Sequence, residues 1–302
     1  MRILVTGAAG YIGSALARRL AAGGHDVVAT DQAAPAAVIG NIAYPQFARA
    51  LVTREVGAVF HLASLVSGGA EQNFELGTKV NLDATRDLLE ACRLAGHRPK
   101  FLFASSIAVY GGGGEITDDT PPAPRLSYGA QKLVCEILLD DYTRRGFVDG
   151  RALRLPAVMV RPGSANTAVS GWSSAIIREP LAGRDYVCPV RPDTRLACIS
   201  LRRVVDSFLH ALQLSGDELG ARRTVLLTGI PVTAQEMRDA AGGTGKVRFE
   251  PDAAIQKVMD GAPKSTFSKR AQQLGFRPSA SIREIVDEYK EDHTDPALAR
   301  HG

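Results

Sequence analysis

Three features of the sequence predict an α/β fold built on a doubly wound parallel sheet. Strand-like runs are predominantly apolar, helical patterns alternate with them, and a glycine-rich turn joins the first run to the first helix. Ile3–Val5 is the first such run, and its unbroken apolarity suits a strand buried on both faces. A helix is expected over Ile12–Ala22, a second strand over Val27–Thr30, a helix over Phe47–Val56 and a third strand over Ala58–Leu62. The next helix spans Thr78–Ala95, with Leu82, Arg86 and Glu90 spaced four apart, and leads to a strand at Phe101–Ala104. A helix from Tyr128 to about Arg145 and a strand at Ala152–Leu155 complete the alternation, which right-handed crossovers wind into a single parallel sheet.

Punctuation divides the rest. Gly111–Gly114 and Pro121-Pro122-Ala123-Pro124 bracket a stretch unsuited to regular structure, at the sheet edge where such folds bind ligands. Beyond residue 156 the alternation degrades around Pro162, Pro180, Pro189 and Pro192, then returns with a strand near Thr224–Leu227 and helices near Ser268–Leu274 and Ile282–Lys290. The expected architecture is a Rossmann-type doubly wound parallel sheet with a small C-terminal substrate-binding lobe. Residues 1–156 would form the dinucleotide-binding domain and 157–302 mainly the lobe, with about 196–228 returning to the first domain.

Composition excludes several classes. The 302 residues are 45% hydrophobic and 23% charged, which is globular rather than disordered or fibrous. No apolar stretch reaches the roughly 18 residues of a membrane span, and no export signal is read at the N-terminus. The four cysteines (Cys92, Cys135, Cys188, Cys198) form no Cys-x-x-Cys pair, so no metal site or disulfide framework is expected and a reducing cytoplasm fits. A net charge of +4 is too small to imply nucleic acid. It is uneven, since 14 basic and 15 acidic residues in 1–150 leave 22 and 17 for the remainder, a mildly basic half that would suit an anionic substrate.

Three local patterns carry chemistry. In Val5-Thr6-Gly7-Ala8-Ala9-Gly10-Tyr11-Ile12-Gly13, the glycines permit a tight turn, close approach of a pyrophosphate and close helix–strand packing. Asp31 follows at the end of the second strand, where a carboxylate accepts both hydroxyls of an adenine ribose and repels a 2′-phosphate, so the expected cofactor is NAD. Tyr128 and Lys132 lie one helical turn apart. A phenol is a poor base at neutral pH, and an ammonium beside it favours the phenolate. Ser105 and Ser106 end an apolar strand, where hydroxyls can meet a ligand or cap the strand.

In this order, Gly7/Gly10/Gly13, Asp31, His61-Leu62-Ala63, Val80-Asn81-Leu82, Ser105-Ser106 and Tyr128/Lys132 resemble the extended branch of the short-chain dehydrogenase/reductase superfamily, which includes nucleotide-sugar epimerases. The resemblance spans nearly the whole chain. It implies Ser106, Tyr128 and Lys132 as catalytic residues, and NAD held by Gly7, Gly10, Tyr11, Ile12, Gly13, Asp31, Asn41, Ile42, Leu62, Ala63, Asn81, Ser105, Tyr128, Lys132 and Leu155. His61 reads as a core packing residue. Relatives commonly pair through the helices here at Thr78–Ala95 and Tyr128–Arg145, so a homodimer is expected.

Departures from the epimerase pattern indicate a smaller substrate. Ala157 stands where an asparagine usually holds diphosphate, Val66 replaces a lysine, and Arg195-Leu196-Ala197-Cys198 keeps only the arginine of a later motif. Substrate contacts are expected from Ser67, Ser106, Tyr128, Asn166 and Arg195, the guanidinium suiting a carboxylate. Ser67 matches a serine that contacts amino-acid carboxylate in threonine dehydrogenases of the superfamily. The runs Gly146–Pro156, Val160–Gly163 and Ile176–Gly183 resemble its sugar-acid dehydrogenases, which implies oxidation of the C2 hydroxyl of a four-carbon acid such as D-erythronate. An epimerase or dehydratase acting on a nucleotide sugar, a threonine-type dehydrogenase and a non-enzymatic NAD sensor are the alternatives.

Overall fold

The computed structural model describes residues 1–163 and 169–294. The chain runs β1 Arg2–Thr6, α1 Tyr11–Ala22, β2 Asp26–Asp31, β3 Val38–Ile39, α2 Pro45–Leu51 and β4 Val56–His61. It continues through α3 Ser67–Gln72, α4 Phe74–Gly77, a π-helical stretch Thr78–Asp83, α5 Ala84–Ala95, β5 Lys100–Ser106, β6 Glu115–Ile116, α6 Ser127–Arg144 and β7 Asp149–Leu155. The second half comprises β8 Ala157–Met159, α7 Trp172–Leu181, β9 Tyr186–Cys188, β10 Arg195–Ser200, α8 Leu201–Gln213, α9 Gly216–Leu219 and β11 Thr224–Leu226. Last come β12 Ile230–Thr233, α10 Ala234–Ala241, β13 Val247–Phe249, α11 Ala253–Asp260, β14 Ser265–Thr266, α12 Lys269–Gln273 and α13 Ile282–Thr294.

Strands β11, β7, β5, β4, β1, β2 and β3 form, in that order, one seven-stranded sheet in which every pairing is parallel. Side chains alternate across it and both faces are covered, which is why its strands read as largely apolar runs. Ile3, Val5, Phe60 and Leu102 face one side, under Leu16 and Leu20 of α1 and Val204 and Phe208 of α8. Leu4, Val59, Phe101 and Phe103 face the other, under Ala48 of α2, Leu88 and Leu89 of α5, and Cys135 and Leu139 of α6. Strand order reverses between β1 and β4, which opens a crevice at their carboxyl ends.

A smaller sheet orders β12, β10 and β8, with β10 antiparallel to β12 and parallel to β8. Trp172, Ile176, Met237 and Val286 pack in its core. The chain rejoins the large sheet through α8, packed in the core beside α1, and through β11, which pairs with β7.

Two elements differ from the sequence reading. The helix expected over Phe47–Val56 stops at Leu51, because Val56 is taken into β4 opposite Arg2. The stretch between the glycine and proline clusters is mostly irregular, yet Glu115–Ile116 pairs with Ser265–Thr266. All four cysteines are free and buried. Among the described residues no helix is long and apolar enough to cross a membrane.

Candidate active site

The glycine turn sits in the crevice. Gly7 has φ +71°, and a Cβ there would stand 2.6 Å from the Ala63 nitrogen. One on Gly13 would stand 2.0 Å from the Gly7 carbonyl oxygen, so α1 packs on the turn backbone against backbone. No side chain caps α1, which leaves its first N–H groups, at the positive end of the helix dipole, open to an anion. Leu62 N–H donates to the Thr6 carbonyl (3.2 Å) and Ala63 N–H to Thr6 Oγ1 (3.3 Å), so Leu62 and Ala63 form the adjoining wall. Asp31 accepts from the N–H groups of Ala9 (3.0 Å) and Gln32 (2.7 Å), and each carboxylate oxygen keeps acceptor capacity for a diol. This cradle and carboxylate fit a dinucleotide whose ribose carries free hydroxyls.

Other residues expected at the cofactor have side chains engaged elsewhere. Tyr11 donates its hydroxyl to the Val160 carbonyl (2.8 Å), tying α1 to the segment after β8, and burial pushes its phenol well above the usual tyrosine range against the opposing charge of Arg161. Ile12 packs half-buried against the core under α1, and Ile42 lies in the core under α2. Asn41 folds back to accept from Ala43 N–H (2.9 Å). Asn81 is 1% exposed and sits in the π-helical stretch. Its oxygen accepts from Ser64 Oγ and Leu65 N–H, while its nitrogen donates to the Leu65 carbonyl and Gln131 Oε1. Every hydrogen-bonding position of that amide is used, so its side chain pins the 64–65 loop to α6 rather than reaching a ligand.

Beyond the crevice lies a cavity of about 520 Å³, whose lining includes Ser67, Ser106, Tyr128 and Leu155. Ser67 opens α3 and Ser106 ends β5. The Ser106 hydroxyl accepts from Ala108 N–H (3.1 Å), which leaves its proton to donate into the cavity. Tyr128 lies in the first turn of α6, and Gly129 beside it is what lets α6 approach, since a Cβ there would stand 2.1 Å from the Ala108 carbonyl oxygen. Lys132, one turn on, is 2% exposed. Its ammonium lies 5.5 Å from the centre of the Tyr128 ring and 4.7 Å from that of Phe103. No carboxylate among the described residues pairs with it in an ion pair.

One turn further, Glu136 braces this arrangement. It accepts from Ser105 Oγ (2.5 Å) and from Arg154 Nε (3.0 Å) and Nη2 (2.6 Å), and Arg154 Nη1 donates to Tyr110 Oη (2.5 Å). The Ser105 hydroxyl therefore serves this buried network, not the cofactor side where it was expected. The sequence reading also passed over Glu136, although Tyr128, Lys132 and Glu136 recur every four residues on one helical face. His61 is a core residue, as expected. Wholly buried, it bonds to the hydroxyls of Thr6 (2.7 Å) and Thr85 (2.9 Å), and burial together with the charge of Lys132 pushes it down to about 3.

Arg195 is the clear misplacement. It opens β10 opposite Thr233 with its side chain exposed, while the next residue, Leu196, lines the cavity. Strand alternation turns the guanidinium away from the cavity. Asn166 lies outside the described residues. The cations at the cavity are instead Arg125, Arg161 and Lys257, and its far wall is Val258–Pro263 at the end of α11. Nothing in the local sequence marked that wall. Among the described residues no group of His, Cys, Asp or Glu is arranged to hold a metal ion.

Known proteins align closely with this chain. Residues 3–212 match the family of NAD dependent epimerases and dehydratases. D-erythronate dehydrogenase of Cupriavidus necator is 44% identical, covering 97% of this chain and 98% of that protein. The D-erythronate dehydrogenase of Haemophilus influenzae is 37% identical, covering 96% and 99%. The crystal structure of the nucleoside-diphosphate-sugar epimerase from Agrobacterium tumefaciens superposes with a TM-score of 0.89 at 36% identity, covering 99% of this chain and 96% of that one. The chain belongs to the NAD dependent epimerase/dehydratase family.

Proposed function

We propose that this protein is an NAD-dependent dehydrogenase that oxidises the C2 hydroxyl of a small sugar acid, D-erythronate, to the 2-keto acid. The observation that carries the reading is the convergence of Ser106 and Tyr128 on one cavity, with Lys132 behind the tyrosine. Near-full-length similarity to two D-erythronate dehydrogenases supports the substrate. NAD would rest its pyrophosphate on the Gly7–Gly13 turn, its adenine ribose on Asp31 and its nicotinamide ribose near Tyr128 and Lys132. The chemistry that bound NAD supplies is acceptance of a hydride from C2. Tyr128 takes the C2 hydroxyl proton as general base, and Lys132 stabilises its phenolate. Ser106 donates to the substrate oxygen as negative charge develops there, and Ser67 offers a hydroxyl to the acid.

The assembly is a homodimer through α5 and α6, a reading supported by exposed Leu94 on the first and Val134 and Ile137 on the second, and its setting is the cytoplasm. Tyr128→Phe tests the chemistry. Turnover should fall by at least about a thousandfold while NADH still binds. A variant that keeps most of its activity would remove Tyr128 from the base role.

A further inference from the structure

A carboxylate entering this cavity needs a cation, and with Arg195 turned outward the choice falls among Arg125, Arg161 and Lys257. Arg125 and Lys257 are exposed, so water screens them; Arg161 is only half-exposed. Among the described residues none of the three has a carboxylate partner, and none of those lining the cavity is acidic. Most other partly buried guanidiniums are already paired, Arg154 with Glu136, Arg178 with Glu179 and Arg203 with Glu284.

The backbone of Arg161 is also fixed. Its N–H donates to Ser174 Oγ (3.0 Å) and its carbonyl accepts from Arg178 Nη1 (2.8 Å), both on α7. Val160, immediately before it, receives the Tyr11 hydroxyl (2.8 Å). Arg161 therefore stands at the junction of lobe, crevice and cavity, held from both sides, with its guanidinium making no hydrogen bond or ion pair among the described residues. Restrained placement lowers the ordering cost of a bidentate contact.

We propose that Arg161 is the specificity-determining residue that holds the substrate carboxylate and so selects acids over neutral polyols. This rests on the dehydrogenase reading above. The competing role for the same guanidinium is the cofactor pyrophosphate, because Tyr11 opens the helix on which that group would sit.

The test is steady-state kinetics of Arg161→Gln and Arg161→Lys with D-erythronate, together with NADH titration by fluorescence. For Arg161→Gln, KM for D-erythronate should rise at least about tenfold, the scale of one charge-assisted contact, with kcat less affected and NADH affinity within about twofold of wild type. Arg161→Lys should recover part of the KM, since it restores charge without the fork. An unchanged KM in Arg161→Gln, or a loss confined to NADH affinity, would overturn the assignment. A wild-type protein that forms no NADH from D-erythronate would overturn the dehydrogenase reading, and with it this one. Active wild type beside an unaffected variant overturns only the role of Arg161.

Discussion

Glu136 offers the sharpest test of how the site is held together. Its carboxylate and the Arg154 guanidinium have side chains 3% and 6% exposed and meet at 2.6 Å. Glu136→Gln keeps the shape of the side chain, but it replaces an acceptor with an NH₂ group and leaves the arginine charge buried without a counterion. Breaking a buried pair from one side costs about 3–5 kcal/mol, a large fraction of the roughly 5–15 kcal/mol that holds a domain folded. Ser105 and Tyr110 would lose defined partners in the same step, so the upper half of that range is expected. Urea unfolding at neutral pH measures it. Replacing both members by apolar groups, Glu136→Leu with Arg154→Met, should restore at least half of the loss, because no uncompensated charge remains. A Gln variant within about 1 kcal/mol of wild type, or a double variant costing the sum of the two single ones, would show that the pair is not held by mutual compensation of buried charge.

The buried histidine and the ribose-facing carboxylate carry two further predictions. The His61 pKa falls to about 3 in the folded protein, from burial first and the Lys132 charge second, against an unfolded value near 6.5. Between those values the unfolded chain binds the extra proton, so stability is full above about pH 6.5 and is lost as pH drops toward 3, by up to about 1.4 kcal/mol per unit. Urea midpoints at pH 7, 6 and 5 should show this slope and His61→Gln should flatten it; an unchanged slope in the variant would exclude His61 as its source. Asp31→Asn removes the charge that would face a 2′-phosphate while keeping an acceptor for Ala9 N–H. Its NAD-over-NADP preference should narrow by at least about tenfold, and an unchanged ratio of kcat/KM values would show that selectivity lies elsewhere.

What the sequence revealed, and what it hid, divides along the range of the interactions involved. Largely apolar strands, the glycine turn and the four-residue spacing of Tyr128 and Lys132 are local signals, and each lies where expected. Asp31 was equally legible because it closes a strand beside that turn. Helix α2 could not be bounded, since Val56 leaves the helical pattern to pair with Arg2 more than 50 residues away. Arg195 failed through alternation, because adjacent strand residues face opposite ways and only the pairing with β12 shows which side is which. Ser105 and Asn81 carried motif signals, but their partners Glu136 and Gln131 come from a distant helix. The far cavity wall at Val258–Pro263 is brought in by the lobe, and no pattern of spacing announces it.

The proposed sugar-acid dehydrogenase activity is tested by NADH formation from the purified protein with NAD or NADP against D-erythronate, L-threonine and a UDP-sugar. NADH should form from D-erythronate with NAD, and little or none from the other combinations. Conversion of the UDP-sugar without net NADH, and silence with D-erythronate, would contradict that activity.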